Sequence, residues 1–562
     1  MKNIKTHLKK YKLAIVIIAI SGISFLSYSF KDNYFEISKN LDIFATVFRE
    51  LNIYYVEDTN PGELMKNSID AMLESLDPYT NYIPESDIED YRFMTTGEYG
   101  GVGALIRQKD DYVVIAEPYD GFPAQKADLR AGDIILEING KSAKGKSTSD
   151  VSKILKGQPG TSIKLQIKRD EEKPPFEVSV IRQEIKIDNV PYYAMLDDKT
   201  GYIKLTGFTE TAGKEFKDAY TSLKEKQNMQ NLVIDLRGNG GGLLREAVNI
   251  VNMFVEKGQD IVNTKGKVKD WDKSHKALNA PLDLEIPLLV LTDGGSASAS
   301  EIVAGALQDL DRAVVVGQRT FGKGLVQQTR PLSYNSQLKV TVAKYYTPSG
   351  RCIQKLDYSH RNSEGGVDKV PDSLITTFKT KNGRLVFDGN GIAPDVEIEE
   401  QDFANISGSL LSKSLIFDFA TKYRKEHPEI ASSREFKITD AEYESFVNFL
   451  TGKDYEYATQ TEKMVDELKT VAEKEKYYED FAKEYADLNN KIKRNKAADL
   501  DKFKGEIKEL LENEIISRYY YQKGRIEASL KYDEEINKAL EIIYNKSIYA
   551  SILDGSRTER KN

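Results

Sequence analysis

The segment from Thr292 to Gln328 constrains the fold more than any other part of this chain. An apolar run, Leu288–Leu291, leads into a cluster of small hydroxyl residues, and a helix-forming stretch then precedes a second apolar run, Ala313–Val316. Short apolar runs that alternate with helical stretches indicate buried strands of a sheet connected by helices. The same alternation occurs upstream, where Leu232–Leu236 is followed by glycines and a helical stretch at Leu244–Val255. The sequence therefore predicts an α/β core.

Two residues of this segment have the chemistry of a nucleophile and its base. Ser298 is the middle serine of SASAS, between Ser296 and Ser300, and Lys323 lies between two glycines after the second apolar run. A serine hydroxyl needs a base beside it, and a lysine can serve if burial lowers its pKa enough to keep it neutral. The pair predicts a serine protease with a Ser–Lys dyad. The alternative is a solvated turn that caps the next helix, because serine is a favoured N-cap residue.

The run Gly317–Gly324 also approaches the phosphate-binding loop of nucleotide-binding proteins. It follows an apolar run, as that loop does, but Gly324 replaces the hydroxyl residue that would hold magnesium. The next segments, Leu325–Pro331 and Gln337–Tyr346, predict strands, whereas a phosphate site requires a helix that begins at the lysine. Nucleotide binding is therefore the weaker alternative.

Several motifs in a fixed order resemble the C-terminal processing peptidases, also called tail-specific proteases. GSASASEIVAGALQD and RTFGKGLVQ are similar to the core of that family. The other matching motifs are LDPYTNYI (Leu76–Ile83), DLRGNGGG (Asp235–Gly242), YYTPSGRCIQ (Tyr345–Gln354) and GIAPDVEI (Gly391–Ile398). The resemblance extends from about Leu41 to Ile398. It implies a serine endopeptidase that recognises protein C-termini and cleaves through an acyl-enzyme, with no cofactor and no metal.

The resemblance also assigns roles to single residues. It implies that Ser298 is the nucleophile, that Lys323 is the general base and that Gln327 orients this lysine. Asp309 matches an acidic position of the family whose role is more structural than catalytic. An inactive scaffold that only binds peptides is the other alternative, and the presence of Ser298, Lys323 and Gln327 together argues against it.

The donors of an oxyanion hole are expected in two places. Ala299 follows the nucleophile at the start of a helix, where backbone N–H groups are unpaired and favour a negative oxygen. The resemblance places a second donor in the loop Arg237–Gly242, where backbone without side chains can approach a substrate closely. Gly241 is the first choice and Gly242 the next, and an ordinary strand-to-helix turn is the alternative.

The N-terminus predicts the location of the protein. Lysines precede the uncharged apolar run Leu13–Phe30, which fits either a single membrane anchor or the apolar region of an export signal. Positive charge before the run keeps residues 1–12 in the cytoplasm and sends the rest across the membrane. Because no A-x-A cleavage site follows, a retained anchor is favoured. Either interpretation places the catalytic body in the cell envelope, on the periplasmic side of the inner membrane.

Four regions are expected after this segment in a mixed α/β, multidomain chain. Residues 31–95 have helical periodicity with an apolar face and a predicted break at Asp58–Pro61, and in relatives this region also supports a dimer. Residues 96–180 resemble a PDZ domain, 181–400 form the protease core, and 401–562 predict a helical C-terminal extension of unknown role. The PDZ-like module suggests a carboxylate-binding loop, because extended backbone donors and a strand edge can hold a peptide C-terminus. Its residues are Gly100, Gly101, Val102 and Gly103. A β module without a ligand is the alternative.

Composition excludes some partners. The net charge of −8 gives no nucleic-acid footprint. The one cysteine, Cys352, allows no intramolecular disulfide, and the four histidines lack the spacing of a zinc site. The expected partners are unfolded or C-terminally tagged proteins, with an adaptor or a second copy of the chain as further possibilities.

Overall fold

The structure is a computed structural model that describes residues 34–169, 173–362, 365–399, 403–492 and 496–556. The predicted tail 1–12 and the apolar run Leu13–Phe30 lie outside the described residues. Within the described ranges, no helix has both the length and the apolar character needed to cross a membrane. The chain divides into two compact units, Met1–Tyr82 and Ile83–Asn562.

The first unit contains two helices, α1 (34–54) and α2 (Pro61–Glu74). They are separated at the predicted break, where the Asn60 side chain accepts hydrogen bonds from the N–H groups of Gly62 and Glu63 at 3.1 and 3.3 Å. Pro61 occupies the first turn, where its missing N–H costs nothing. Several large apolar side chains of α1 are exposed: Leu41, Ile43, Phe44, Val47 and Leu51. A short strand, β1 (Asn81–Ile83), lies at the boundary between the units.

The second unit begins with a β-rich module. Its elements are α3 (Ile88–Thr96), β2 (Glu98–Gly101), β3 (Ala104–Lys109), β4 (Tyr112–Pro118), α4 (Pro123–Lys126), β5 (Ile134–Ile138), β6 (Lys141–Ser142), α5 (Thr148–Leu155), β7 (Ser162–Lys168), β8 (Phe176–Ile181) and β9 (Gln183–Lys186). Antiparallel pairing gives the order β3-β4-β5-β7-β8, with β6 beside β5 and a separate β2–β9 pair. Strand β7 alternates buried residues with more exposed ones over the module's own small core, as a half-buried sheet does.

The α/β core follows. Its elements are β10 (Tyr192–Met195), β11 (Thr200–Lys204), α6 (Ala212–Thr221), β12 (Asn231–Asp235), α7 (Leu244–Asn252), β13 (Asp260–Gly266), β14 (Lys273–Lys276), β15 (Leu288–Thr292), α8 (Ala299–Asp309) and β16 (Val314–Gly317). The remaining strands are β17 (Leu325–Pro331), β18 (Gln337–Tyr346), β19 (Leu356–Arg361), β20 (Val367–Lys369), β21 (Thr377–Lys379), β22 (Leu385–Phe387) and β23 (Val396–Glu397). The central order is β10-β11-β12-β15-β16-β23, and all pairs except β10–β11 are parallel.

Both faces of this central sheet are covered. Leu232, Ile234 and Val290 point to the side of helices α6, α7 and α8. The alternate residues Val233 and Leu289 instead pack against apolar residues of the last helices of the chain. Because side chains alternate across a strand, burial on both faces requires the continuous apolar runs that the sequence shows. A second layer pairs β17, β18, β13 and β14 in antiparallel fashion.

The C-terminal extension is helical, as expected. Its helices are α9 (Asn405–Ser412), α10 (Leu415–Glu426), α11 (Asp440–Phe449), α12 (Gln460–Glu475), α13 (Tyr478–Ile492), α14 (Lys496–Lys502), α15 (Lys504–Ser529), α16 (Glu534–Tyr544) and α17 (Lys546–Leu553). Most of them form a separate core. The extension also contacts the β-rich module, where Lys109 pairs with Asp418 at 2.6 Å and Arg525 with Glu117 at 3.0 Å. It therefore joins the β-rich module to the central sheet.

Candidate active site

Ser298 lies in the sharp connection from β15 to α8, at the carboxyl end of a central parallel strand. Its backbone has φ 55° and ψ −107°, a conformation that side-chain-bearing residues rarely adopt. Such strain costs roughly 1–3 kcal/mol and persists only where the surrounding structure holds it. Open α/β sheets bind their ligands outside the carboxyl ends of the strands. The predicted nucleophile therefore lies where a substrate can reach it.

The three serines of the cluster have different surroundings. The Ser296 hydroxyl is buried and donates to the Leu236 carbonyl at 2.9 Å. The Ser300 hydroxyl is also buried and donates to the Asn239 carbonyl at 2.8 Å. Ser298 is partly exposed and lines a cavity of about 370 Å³. Of the three hydroxyls, only that of Ser298 faces this cavity.

The other predicted site residues of the α/β core lie at the same cavity. Lys323, Gln327, Gly241, Gly242 and Ala299 all line it. The side-chain amide of Gln327 donates to the Thr341 hydroxyl on the neighbouring strand at 3.2 Å. Lys323 is followed by a strand, not by a helix, which removes the structural basis for a phosphate-binding loop.

A buried glutamate connects the backbones of the two predicted dyad residues. One oxygen of Glu301 accepts hydrogen bonds from the N–H groups of Ser298 at 2.8 Å and Lys323 at 2.9 Å. Its other oxygen accepts from the Thr320 hydroxyl at 2.6 Å and the Gly322 N–H at 2.7 Å. Burial raises the pKa of Glu301, although these donors favour the charged form and partly offset the effect. The carboxylate thus couples the position of the nucleophile to that of the lysine.

Glu301 was not among the predicted site residues, although the sequence contained a signal for it. Ser298 and Glu301 stand in the S-x-x-E spacing of a capping box, in which the acidic side chain binds the N-cap N–H. Tyr345 was also missed. It is buried, lines the cavity and donates from its hydroxyl to the Ser298 carbonyl at 3.2 Å. No local pattern could have indicated that contact, because it joins β18 to the start of α8.

The glycine loop after β12 lies directly against the nucleophile. A Cβ atom on Gly241 would lie 2.6 Å from the Ala297 carbonyl oxygen and 2.9 Å from the Ala299 nitrogen, so only glycine fits there. The Gly241 N–H donates to the Asn239 side chain at 2.9 Å. Gly242 is similarly tight, since a Cβ atom there would lie 2.5 Å from the Phe208 carbonyl oxygen. The loop therefore brings backbone close to Ser298, while part of its donor capacity is used internally.

Asp309 lies at the far end of α8 and does not line the cavity. Its carboxylate accepts from the Arg351 guanidinium at 2.7 Å and from the Ser349 N–H at 3.0 Å. Both charged side chains of this ion pair are almost fully buried. This geometry supports a structural role for Asp309.

The glycine-rich segment of the β-rich module is partly a strand. Gly100 and Gly101 belong to β2 and pair with Glu184 and Gln183 of β9. Val102 and Gly103 connect β2 to β3, and their carbonyls accept hydrogen bonds from the N–H groups of Ala124 and Tyr119 at 2.8 and 2.9 Å. The Val102 side chain is buried in the core of the module. Helix α5 packs beside β3, which is the end strand of the module's sheet, and a strand in that position can pair with an extended peptide as an added strand.

Comparison with known families assigns descriptions to three parts of the chain. Residues 199–359 match peptidase family S41, and residues 114–169 match the PDZ domain. Residues 406–543 match a family described as the probable PDZ-protease, C-terminal helical domain. The three matches follow the order of the β-rich module, the central sheet and the helical extension.

Individual relatives agree with these descriptions. The carboxy-terminal-processing protease of Bartonella bacilliformis is 37% identical over 343 residues, which cover 60% of this chain and 75% of that protein. The probable CtpA-like serine protease of Staphylococcus aureus is 37% identical over 318 residues, which cover 56% of this chain and 62% of that protein. Among solved structures, the photosystem II D1 C-terminal processing protease is 29% identical, and the match covers 63% of this chain and 92% of that chain with a TM-score of 0.35.

Proposed function

Because this chain belongs to peptidase family S41, the carboxy-terminal-processing proteases, it is a serine-type peptidase, and we propose that Ser298 is its nucleophile and Lys323 its general base. The observation that supports this assignment most is the shared cavity, which contains both residues and excludes the other two serines of the cluster. The Glu301 carboxylate adds to it by binding the backbone of both. The membership of the family makes a silent scaffold or a nucleotide-binding protein the weaker alternatives.

The proposed reaction is acyl transfer. Neutral Lys323 takes the proton of the Ser298 hydroxyl as the oxygen attacks the scissile carbonyl carbon. The tetrahedral oxyanion is stabilised by the N–H of Ala299, the first residue of α8, and by the loop at Gly241 and Gly242. When the C–N bond breaks, the Lys323 ammonium returns the proton to the leaving amine. Water then hydrolyses the acyl-enzyme by the same proton transfers in reverse order.

Two supporting assignments rest on position. Gln327 lines the cavity beside Lys323, and we assign it the role of orienting the lysine amine. Gly242 complements Gly241 as oxyanion donor, because the Gly241 N–H already has an acceptor in the Asn239 side chain. In the transition state the Gly241 N–H would exchange its hydrogen bond to Asn239 for one to the substrate oxyanion, so Gly241 would act as an oxyanion donor in that state only.

Substrate selection is assigned to the PDZ domain, residues 96–180. The end strand β3 suits pairing with the last residues of an extended chain, and the segment Gly100, Gly101, Val102 and Gly103 is the proposed site of the terminal carboxylate. Unfolded or C-terminally tagged proteins are then the substrates. Strand addition depends mostly on backbone hydrogen bonds, so this selection tolerates many sequences.

We also propose where the protein is located and how it contacts other proteins. The apolar run Leu13–Phe30 supports attachment to the inner membrane, or export after cleavage, with the peptidase on the periplasmic side. The exposed apolar side chains of α1 suit a contact with a second copy or an adaptor protein, because large exposed apolar patches mark interaction sites.

The test is cleavage of an unfolded protein with an apolar C-terminus by the full chain. Ser298→Ala and Lys323→Ala are expected to abolish cleavage with the fold intact, because the two residues act as one proton-transfer unit. Ser296→Ala and Ser300→Ala are the matched controls: both should retain cleavage, at a reduced rate in Ser300→Ala because its hydroxyl binds the Asn239 carbonyl of the glycine loop. Cleavage by Ser298→Ala at the wild-type rate would refute the assignment, and C-terminus-dependent binding without cleavage by the wild type would favour the scaffold.

A further inference from the structure

The cavity that Ser298 lines also contains a second lysine, Lys339. Lys339 lies on β18 opposite Thr329 of β17, and both residues line the cavity with Ser298 and Lys323. In the part of the chain that the structure describes, no lining residue of this cavity is acidic, and no carboxylate pairs with Lys339. With Lys323 neutral as the proposed base, Lys339 provides the positive charge among the described lining residues.

The position of Lys339 relative to the dyad follows from the hairpin. Gln327 pairs with Thr341, and Thr329 pairs with Lys339, so the lysine is two strand positions further along the same hairpin. Two strand residues span about 7 Å. Burial lowers the pKa of the Lys339 amine, since nothing nearby compensates its charge. A partly desolvated ammonium of this kind gains from a carboxylate placed beside it.

From this geometry we propose that Lys339 forms a subsite for an acidic side chain of the substrate, near the scissile bond. The inference rests on the proposed protease function and adds the substrate class that this cavity takes. An aspartate or glutamate side chain at one position of the extended peptide would accept a hydrogen bond from the Lys339 ammonium. Peptides with lysine or arginine at that position would be excluded by repulsion.

Matched peptides test the subsite. They share one apolar C-terminus and carry glutamate or glutamine at each position in turn around the cleavage site. With the full chain, we expect one position where glutamate raises kcat/KM by about 10- to 100-fold, the range of a charge-assisted hydrogen bond. The preference should vanish in Lys339→Gln and turn into a preference for lysine in Lys339→Glu.

The control is Lys344→Gln, which removes an exposed lysine of the same strand that does not line the cavity. It should keep the glutamate preference. Equal glutamate-to-glutamine ratios for wild type and Lys339→Gln at every position would overturn the subsite. That failure is distinct from failure of the proposed function, which would appear as cleavage by Ser298→Ala.

The helical extension, whose role was not evident from the sequence, contacts the glycine loop beside Ser298. Arg237 begins the glycine loop that lies against Ser298, and its guanidinium donates to Asp533 at 2.7 Å and also binds Glu535. The same guanidinium binds the fully buried Asp235 at 2.6 and 3.0 Å. The loop is therefore held from both sides, by the end of β12 and by the start of α16.

Hydrogen bonds of Asn239 connect the rest of the loop to residues on either side of Ser298. The Asn239 carbonyl accepts from the Ala297 N–H at 3.0 Å and from the Ser300 hydroxyl at 2.8 Å. The Asn239 side chain accepts from the Gly241 N–H. We infer that Asp533 and Glu535 are positioning residues, through which the helical extension sets the oxyanion loop for the transition state.

The test is the double variant Asp533→Asn with Glu535→Gln in the full chain. We expect kcat to fall about 10-fold or more, since a displaced donor loses transition-state stabilisation. A peptide aldehyde, which forms a tetrahedral adduct on Ser298, should bind correspondingly more weakly. Peptide affinity measured on a Ser298→Ala background should stay the same, because the ground state does not use the oxyanion donors.

Glu534→Gln is the control, because Glu534 is exposed in the same helical turn. Glu535→Asp, which keeps a carboxylate, should lose less activity than Glu535→Gln. Equal weakening of peptide and aldehyde, or unchanged kcat in the double variant, would overturn the positioning role. Loss of folding in the double variant is addressed by the single variants, each of which leaves Arg237 with Asp235 and one of the two carboxylates of the extension.

Discussion

Replacement of Glu301 by glutamine should separate catalysis from stability. The carboxylate accepts four hydrogen bonds, two on each oxygen, from Ser298, Lys323, Thr320 and Gly322. A glutamine keeps one oxygen and presents N–H groups in place of the other. Two donors then lose their acceptor, either the two backbone N–H groups of the dyad or the pair at Thr320 and Gly322.

The expected magnitudes follow from opposing effects. Two lost hydrogen bonds to a charged group cost about 3–6 kcal/mol. Removal of a buried charge returns several kcal/mol of desolvation, which is the effect that raises the pKa of Glu301. The free energy of unfolding should therefore change by only about 1–2 kcal/mol. Catalysis has no such compensation, because a misplacement of about 1 Å in the dyad costs on the order of 100-fold in rate.

The assay is kcat/KM on a peptide with a free apolar C-terminus, measured beside chemical denaturation of the same preparations. Glu256→Gln, an exposed glutamate of the same core, is the control and should change neither quantity. A Glu301→Gln variant with wild-type kcat/KM would refute the idea that this carboxylate aligns the dyad. A large loss of stability with proportional loss of active protein would show that the residue acts only through folding.

Three further outcomes are expected. Protonation of Glu301 should give an acid limb in the pH profile of kcat/KM at a pH above the ordinary glutamate range, because burial raises the pKa of this residue. The free energy of unfolding should depend on this titration in the opposite direction. A raised folded-state pKa stabilises the protein at low pH, and this contribution is lost as pH rises through that pKa. Asp309→Asn should lower the free energy of unfolding by about 3–5 kcal/mol in chemical denaturation, since it leaves Arg351 charged and buried, whereas an effect below about 1 kcal/mol would contradict a structural role. Amidation of the substrate C-terminus should slow cleavage markedly, and equal rates for free and amidated peptides would argue against recognition of the carboxylate by the PDZ domain.

The sequence by itself determined the features that depend on neighbouring residues. The alternation of apolar runs and helical stretches predicted the α/β core, because a strand buried on both faces must be apolar throughout. The same local signals predicted the break between α1 and α2, where Asn60 caps the second helix. The motifs around Ser298 and Lys323 indicated the family and both halves of the dyad, since each motif occupies a few consecutive positions.

The tertiary structure decided which distant groups meet. Ser296, Ser298 and Ser300 are alike in sequence, and only packing buries two of them and leaves the third in the cavity. Arg237 and Asp533 are nearly three hundred positions apart, so their contact depends on how the last helices pack against the central sheet. Gly100 lies in a strand because β9 pairs with it. Such contacts follow from shape and burial across the whole chain, and no short stretch of sequence encodes them.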